Sequence, residues 1–170
     1  EHNPIRLDPI HRVTRRIESG IDLFCLRLAD ALNDSTARAS EAYVAKWRRV
    51  SATVDSVIQR MTAQAAVVTE AGIARLLSHR IQNSALFLAS SMPIRDMDMF
   101  ASADGPRIPV GANRGASGID GTVAAAAGFA IGLGAPTTLL IGDLSLLHDL
   151  NSLAILKNLN PPVTAVVINN

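Results

Sequence analysis

The sequence has few sulfur-containing, aromatic and charged side chains, and each shortage excludes a class of protein. Of its 170 residues, 4% are aromatic and 18% are charged, and there is one cysteine. Cys25 cannot form an internal disulfide, which excludes a secreted scaffold held together by disulfides. No apolar run approaches the roughly 20 residues that cross a bilayer, so we predict no membrane span. We expect a protein of a reducing compartment such as the cytoplasm.

The overall charge and apolar content favour a globular domain. The formal net charge is +1, which gives no indication of nucleic-acid binding. Hydrophobic residues make up 48% of the chain, too many for a disordered protein. The length is sufficient to bury a core.

The two halves of the chain differ in periodicity. Apolar residues at helical spacing predict a helix that begins at Ile21, with Cys25 on its apolar side, and two further helices at 41–62 and 70–77. From residue 84 onward, short apolar strands alternate with helices: strands at 84–89, 107–111, 137–141 and 162–168, and helices at 118–132 and 146–158. This alternation predicts an α/β fold, a parallel sheet with helices on both faces, preceded by a helical segment.

Polar residues follow the predicted strands, where open parallel sheets bind their ligands. Asp143 comes directly after one strand and Asn170 after the next. A carboxylate and an amide oxygen suit Mg²⁺, which also binds phosphate oxygens, and a helix N-terminus favours phosphate. The alternative is that Asp143 only caps the helix predicted at 146–158.

Two arginines also follow predicted strands. Arg114 lies in a segment punctuated by glycines, and its guanidinium can bind a carboxylate or a phosphate; the alternative is an ion pair with Asp120. Arg95 and Ser91 fall in a predicted loop that also holds Pro93. For Arg95 the alternative is a solvated pair with Asp96 or Asp98.

Taken together, these motifs resemble one family. Gly142-Asp143, with Asn169-Asn170 some 26 residues later, resembles the thiamine diphosphate fingerprint. The runs 91–96 (Ser-Met-Pro-Ile-Arg-Asp), 113–121 (Asn-Arg-Gly-Ala-Ser-Gly-Ile-Asp-Gly) and 142–151 are similar to 2-succinyl-5-enolpyruvyl-6-hydroxy-3-cyclohexene-1-carboxylate synthases, thiamine diphosphate enzymes of menaquinone or phylloquinone biosynthesis. The resemblance covers essentially the whole chain, in the family's order.

The resemblance implies a cofactor, two substrates and a set of site residues. The cofactor is thiamine diphosphate with Mg²⁺ or Mn²⁺. The substrates are 2-oxoglutarate, which is decarboxylated, and isochorismate, which receives the succinyl carbanion. Asp143 and Asn170 match the metal ligands, and both also belong to the cofactor site. The resemblance further assigns cofactor contacts to Gly142, Leu144 and Ser145 and substrate contacts to Ser91, Arg95 and Arg114.

The same resemblance implies a domain organisation and an incomplete site. Residues 1–65 match the end of a central domain plus a linker helix, and residues 66–170 match a truncated diphosphate-binding domain. No catalytic residue is assigned, because the family's activating glutamate lies in a domain without a counterpart here; Glu41 and Glu70 have no matching motif. We expect this chain alone to be inactive, and the full-length protein to be a homodimer or homotetramer, cytoplasmic or, in a phototrophic eukaryote, plastidial.

Three departures and two alternatives accompany the resemblance. Ala89-Ser90 stands where the family commonly has Gly-Asn, and neither the glycine-rich loop after Asn-Asn nor the pyrimidine-binding domain is present. One alternative is another thiamine diphosphate enzyme, similar to acetolactate synthase, against which the Ser-Gly-Ile-Asp-Gly run argues. The other is a non-catalytic, Rossmann-like phosphate-binding remnant, although Gly-x-Gly-x-x-Gly is missing.

Overall fold

The computed structural model describes residues 12–33, 40–113 and 118–169. Their contacts divide the chain into two compact units, one up to Val50 and the other from Ser51 onward. The domain limits inferred from the family resemblance, at residues 65 and 66, stay a prediction. None of the helices formed by the described residues is both long and apolar enough to cross a membrane.

The first unit is helical, as predicted. It contains α1 (Ile21–Asn33) and the start of α2 (Glu41–Gln64), on which Tyr43 and Trp47 form an edge-to-face pair. The apolar side of α1 is exposed, Cys25 included. An apolar helix side predicts burial in a core, and for Cys25 this prediction is wrong within this unit, because no described residue of the unit covers that side of α1.

The second unit is built on a four-stranded parallel sheet. Its strands are β1 (Ala85–Leu88), β2 (Val110–Ala112), β3 (Thr137–Gly142) and β4 (Val163–Ile168), in the order β2-β1-β3-β4. Every pairing is parallel, so all four carboxyl ends lie at the same edge. The predicted α/β class with a parallel sheet is confirmed.

Helices cover both faces of this sheet. Alternate residues of β1 and β3 point to opposite sides, which gives two cores. On one side the core is completed by α3 (Glu70–Arg80) and α4 (Met92–Phe100). On the other side it is completed by α5 (Thr122–Leu133), α6 (Asp143–His148) and α7 (Leu153–Leu156).

Three element predictions need correction. The segment that holds Ser91 and Arg95 is helical from Met92, because proline is favourable in a first helical turn, where its missing N–H costs no hydrogen bond. Helix α5 begins at Thr122, after Gly121 in a left-handed conformation (φ 64°), and not at residue 118. The helix predicted at 146–158 is divided into α6, a 3₁₀ turn (Leu150–Ser152) and α7.

The buried carboxylate of Asp149 lies between α6 and the 3₁₀ turn. Its Oδ2 accepts a hydrogen bond from the backbone N–H of Val123 (2.7 Å), and its Oδ1 accepts one from the Ser152 hydroxyl (2.6 Å). The residue before α5 is Gly121, which has no side chain to cap the helix, so Asp149 satisfies a first-turn N–H from a distant part of the chain. Asp149 thus joins α5 to the 3₁₀ turn.

Replacing Asp149 should destabilise the second unit. We expect Asp149→Ala to lower the free energy of unfolding by about 1–3 kcal/mol, because it removes a helix cap and leaves a buried N–H without an acceptor. Urea denaturation measures this difference. Asp104→Ala is the control, since Asp104 is exposed and its side chain makes no hydrogen bond or ion pair with the described residues. Equal losses in the two variants would contradict the capping role.

A buried arginine connects α2 to α3 and α4. Arg75 is 5% exposed; its guanidinium forms an ion pair with Asp55 (2.7 Å) and donates from Nε to the side-chain oxygen of Gln59 (3.1 Å). It also reaches the carbonyl of Phe100 at the end of α4 (3.5 Å). The hydrogen bond from Arg75 holds the pKa of Asp55 below its ordinary value.

The ion pair predicts a pH-dependent stability. A carboxyl whose pKa is lowered on folding stabilises the fold above its unfolded pKa, near 3.9, and this contribution is lost as the pH falls through the folded value. Asp55→Asn should therefore be less stable than the parent at pH 7, with a difference that shrinks on acidification to pH 3. Denaturation across this range, with exposed Asp98→Asn as control, tests it; a pH-independent difference would show that the pair contributes nothing.

Candidate functional site

A cavity of about 270 Å³ opens at the carboxyl edge of the sheet. The segments after β1 and β3, the last residue of β4 and the start of α3 form its walls, with the lining residues Glu70, Ser90, Ser91, Met92, Pro93, Ile119, Gly142, Asp143, Leu144, Ser145 and Ile168. The register explains this convergence, since Gly142 pairs with Ile168 and the two strands end level with each other. The cavity lies at the edge where the sequence analysis expects a ligand, and that expectation stays a prediction.

Asp143 is the carboxylate that the sequence analysis placed at this edge. It is the first residue of α6 and is only partly exposed. No side-chain hydrogen bond caps α6, and the Asp143 carboxylate makes no hydrogen bond or ion pair with any described residue. The capping alternative therefore has no support in the described residues, and the carboxylate is available to a cation in the cavity.

The neighbours of Asp143 also line the cavity, but their side chains differ in exposure. Leu144 is 70% exposed, whereas Ser145 is buried and its hydroxyl donates to the carbonyl of Ile119 (3.4 Å). Ser145 therefore holds the glycine-rich segment against α6. Gly142 is extended (φ −76°, ψ 155°), so its role does not depend on a conformation reserved for glycine.

Ser91 stands at the entrance to α4 in a strained conformation. Its φ is 73° and its ψ is −126°, a region that residues with a side chain rarely adopt. The Ser91 hydroxyl makes no hydrogen bond that caps α4, so the strain is not offset by a capping interaction. Strain of this kind is concentrated at functional sites, and Ser91 lines the cavity. Beside it, the Ser90 hydroxyl donates to the carbonyl of Asn113 (2.8 Å), which ties the β1 end to the β2 end.

Three predicted site residues, Arg95, Arg114 and Asn170, are not among the described residues that line the cavity. Arg95 is exposed on α4 and is not among the lining residues; it forms no ion pair with Asp96 or Asp98. Arg114 and Asn170 lie outside the described residues. Asp120, the alternative partner of Arg114, is 3.1 Å from Nδ1 of His148.

The second carboxylate among the lining residues, that of Glu70, was not assigned a role from sequence. Glu70 begins α3 and is half-buried at the cavity wall. Thr69, a residue type favoured as an N-cap, caps this helix by accepting a hydrogen bond from the N–H of Gly72 (3.1 Å). A short connection joins α3 to β1, so the helix must run antiparallel to the strand and begin at the edge where the strand ends. Connectivity could have placed Glu70 there, although no motif does.

The donor set of the cavity fits a magnesium ion that carries phosphate. Mg²⁺ is typically bound by one or two carboxylates plus phosphate oxygens and water, and Asp143 offers one such carboxylate. Within residues 12–33, 40–113 and 118–169, no three His, Cys, Asp or Glu side chains form a metal-binding group. A cation at Asp143 therefore needs further ligands from a phosphate or an amide. The volume is below the roughly 300–1,000 Å³ of sites that enclose a whole ligand, so it suits one end of a larger molecule.

Comparison with known proteins identifies relatives of this chain. No family model matches it. It is 48% identical over 169 residues to a protein of Rubrobacter xylanophilus, 45% over 172 residues to one of Prosthecochloris aestuarii and 43% over 173 residues to one of Salinibacter ruber. All three are named 2-succinyl-5-enolpyruvyl-6-hydroxy-3-cyclohexene-1-carboxylate synthase. The chain is homologous to one segment of these synthases.

The match covers nearly all of this chain but only part of each relative. It covers 99%, 100% and 99% of this chain, but only 29%, 28% and 28% of the three synthases. The chain thus spans less than a third of the length of the curated relatives it matches. The family resemblance inferred from the sequence motifs is confirmed.

The backbone strain at Ser91 gives a test that requires no ligand. We expect Ser91→Gly to raise the free energy of unfolding by about 1 kcal/mol, because glycine adopts a positive φ without a steric penalty. Asn83→Gly is the matched control: Asn83 also has a positive φ (53°), but asparagine tolerates the left-handed region, so little change is expected. Urea denaturation compares the two; a Ser91→Gly variant no more stable than the parent would rule out the strain.

Proposed function

We propose that this chain supplies the diphosphate- and metal-binding part of a thiamine diphosphate-dependent synthase. The whole enzyme would transfer a succinyl group from 2-oxoglutarate, with loss of CO₂, to isochorismate in menaquinone or phylloquinone biosynthesis. The observation that carries the proposal is the Asp143 carboxylate at the sheet edge, which has no partner among the described residues, in a chain homologous to the named synthases. The size of the cavity and its carboxylate suit the metal-bound phosphate end of the cofactor.

In this proposal, Asn170 and the four residues from Gly142 to Ser145 have defined tasks. Asp143 binds Mg²⁺, and Asn170 provides a second oxygen ligand. Gly142, Leu144 and Ser145 form the wall against which the diphosphate lies, and Ser145 fixes that wall through its hydrogen bond to Ile119. When bound, the thiazolium ring of thiamine diphosphate serves as the electron sink for decarboxylation.

The substrate side of the proposal uses Ser91, Arg95 and Arg114. Isochorismate and 2-oxoglutarate each carry two carboxylates, and arginine binds carboxylates through paired N–H donors. Arg95 is exposed and free of ion pairs with the described residues, so its guanidinium is available for such a contact. Ser91 lines the cavity, and its hydroxyl makes no hydrogen bond with the described residues.

The proposal also requires parts beyond this chain. The activating glutamate is expected from a pyrimidine-binding domain, and the complete site is expected between subunits of a homodimer or homotetramer in the cytoplasm or plastid. The 170 residues alone should then show no synthase activity. The alternative of a non-catalytic phosphate-binding module makes the opposite prediction for the complete polypeptide, which would bind phosphate but never consume 2-oxoglutarate.

The role of Asp143 can be tested by cofactor binding. We expect the complete polypeptide that carries these residues to bind thiamine diphosphate in the presence of Mg²⁺ and more weakly with a chelator. Asp143→Ala should reduce the affinity at least tenfold, a loss of about 1.4 kcal/mol or more, because it removes the charged metal ligand. Calorimetric titration with and without Mg²⁺ measures both effects.

The control variant also removes one carboxylate, but at a position away from the cavity. Asp104→Ala removes an exposed carboxylate that is not among the lining residues, and it should bind like the parent. Equal affinities of the parent and Asp143→Ala would remove the metal assignment. Retained binding without turnover of 2-oxoglutarate and isochorismate would favour the phosphate-binding module.

A further inference from the structure

The chain turns sharply between β1 and α4, and Ser90 lies in this turn. Strand β1 ends at Leu88 and α4 begins at Met92, so three residues connect them. Ser90 lines the cavity, is 8% exposed, and donates from its hydroxyl to the carbonyl of Asn113 (2.8 Å). Asn113 directly follows β2, whose last residue, Ala112, pairs with Leu88. The Ser90 side chain therefore connects the ends of two neighbouring strands.

The backbone on both sides of the strained Ser91 is held in place. Before it, the N–H of the buried Ala89 donates to the carbonyl of Leu140 in β3 (2.9 Å), and Ser90 is bound to the end of β2. After it, Pro93 is buried in the first turn of α4, and its ring fixes its own φ. Strained conformations persist only where the surrounding structure imposes them. The hydrogen bond of Ser90 is one of the contacts that impose this one.

Ser90 acts through its neighbours. A serine hydroxyl has one proton to donate, and the Asn113 carbonyl accepts it. The carbonyl of Asn113 belongs to the planar peptide bond that precedes Arg114 in the sequence, so holding it fixes where the chain leaves β2. On the other strand, Ser90 directly precedes Ser91. One hydrogen bond thus lies between the starting points of two predicted substrate contacts, Ser91 and Arg114.

We propose that Ser90 is a positioning residue for the substrate side of the cavity. Its hydroxyl holds the end of β2 and the strained turn at Ser91 in one arrangement. The substrate part rests on the proposed function, in which Ser91 and Arg114 contact the substrate. The link between the Ser90 hydrogen bond and the strain at Ser91 does not depend on that function, and it can be measured without a ligand.

Removing the hydroxyl should weaken substrate binding and leave cofactor binding intact. In the complete polypeptide, we expect Ser90→Ala to raise the KM for isochorismate about tenfold, the scale of one lost hydrogen bond. The kcat should change less, because contacts made equally in the ground and transition states affect KM. Affinity for thiamine diphosphate with Mg²⁺ should stay that of the parent, because Asp143 follows β3 and Ser90 is bonded to the end of β2.

Two further variants separate this role from a general loss of stability. Ser78→Ala is the matched control, since the Ser78 hydroxyl also donates to a carbonyl at 2.8 Å, that of Arg75, and Ser78 does not line the cavity. It should keep the parent's KM for isochorismate. Ser90→Thr retains the donor hydroxyl and should restore most of the substrate affinity that Ser90→Ala loses.

A double-mutant cycle measures the link to the strain at Ser91. Urea denaturation compares Ser90→Ala, Ser91→Gly and the double variant with the parent. In the parent, loss of the hydrogen bond lets Ser91 relax, which offsets part of the cost; glycine has no strain to release. Ser90→Ala should therefore raise the unfolding equilibrium constant about fivefold more in the Ser91→Gly background than in the parent.

Contrary results are distinct for the two parts. If Ser90→Ala has the KM of Ser78→Ala, or if Ser90→Thr is as impaired as Ser90→Ala, the hydroxyl does not position the substrate and the proposal is overturned. If the parent neither binds thiamine diphosphate nor consumes isochorismate, the proposed function fails and the substrate part fails with it. In that case, additive stabilities in the cycle overturn the link to Ser91 as well, and non-additive ones establish it.

Discussion

The parallel pairing of β3 with both β1 and β4 is the constraint on which the rest of the second unit depends. Because the three strands run in the same direction, their carboxyl ends meet at one edge, and the chain must return through helices on either face. The register sets Gly142 beside Ile168, and the cavity opens directly after this pair. Shifting β4 by one residue would reverse which side chains face each core and would move Asn169 away from Asp143.

The cavity is held by contacts between the segments that follow the strands. The Ser90 hydroxyl fixes the end of β1 to the end of β2, and the Ser145 hydroxyl fixes α6 to the segment before α5. The sheet is also closely packed at Gly111 of β2. A Cβ on Gly111 would lie 2.9 Å from the rings of both Phe87 and Phe129. The packing of Phe87 and Phe129 therefore leaves no room at Gly111 for a side chain.

Much of the fold was predictable because apolar periodicity reports burial. The class, the four strands and the capping of α3 by Thr69 all follow from local pattern, and so does the location of Asp143. The sequence did not reveal the division after α6, because Asp149 serves a helix that begins 27 residues earlier in the chain. Nor did it reveal Glu70 as a residue of the cavity wall, since its place there depends on where α3 begins relative to the edge of the sheet.

The carboxylate of Asp149 also has a consequence for how this unit opens. One side chain holds the first turn of α5 through Val123 and the 3₁₀ turn through Ser152, so a movement of Asp149 out of its place releases both at once. Local openings of proteins follow such cooperative groupings and are seen in amide hydrogen exchange. The exchange rate of the Val123 amide is thus expected to report on the integrity of a turn that is close in space but almost thirty residues away along the chain.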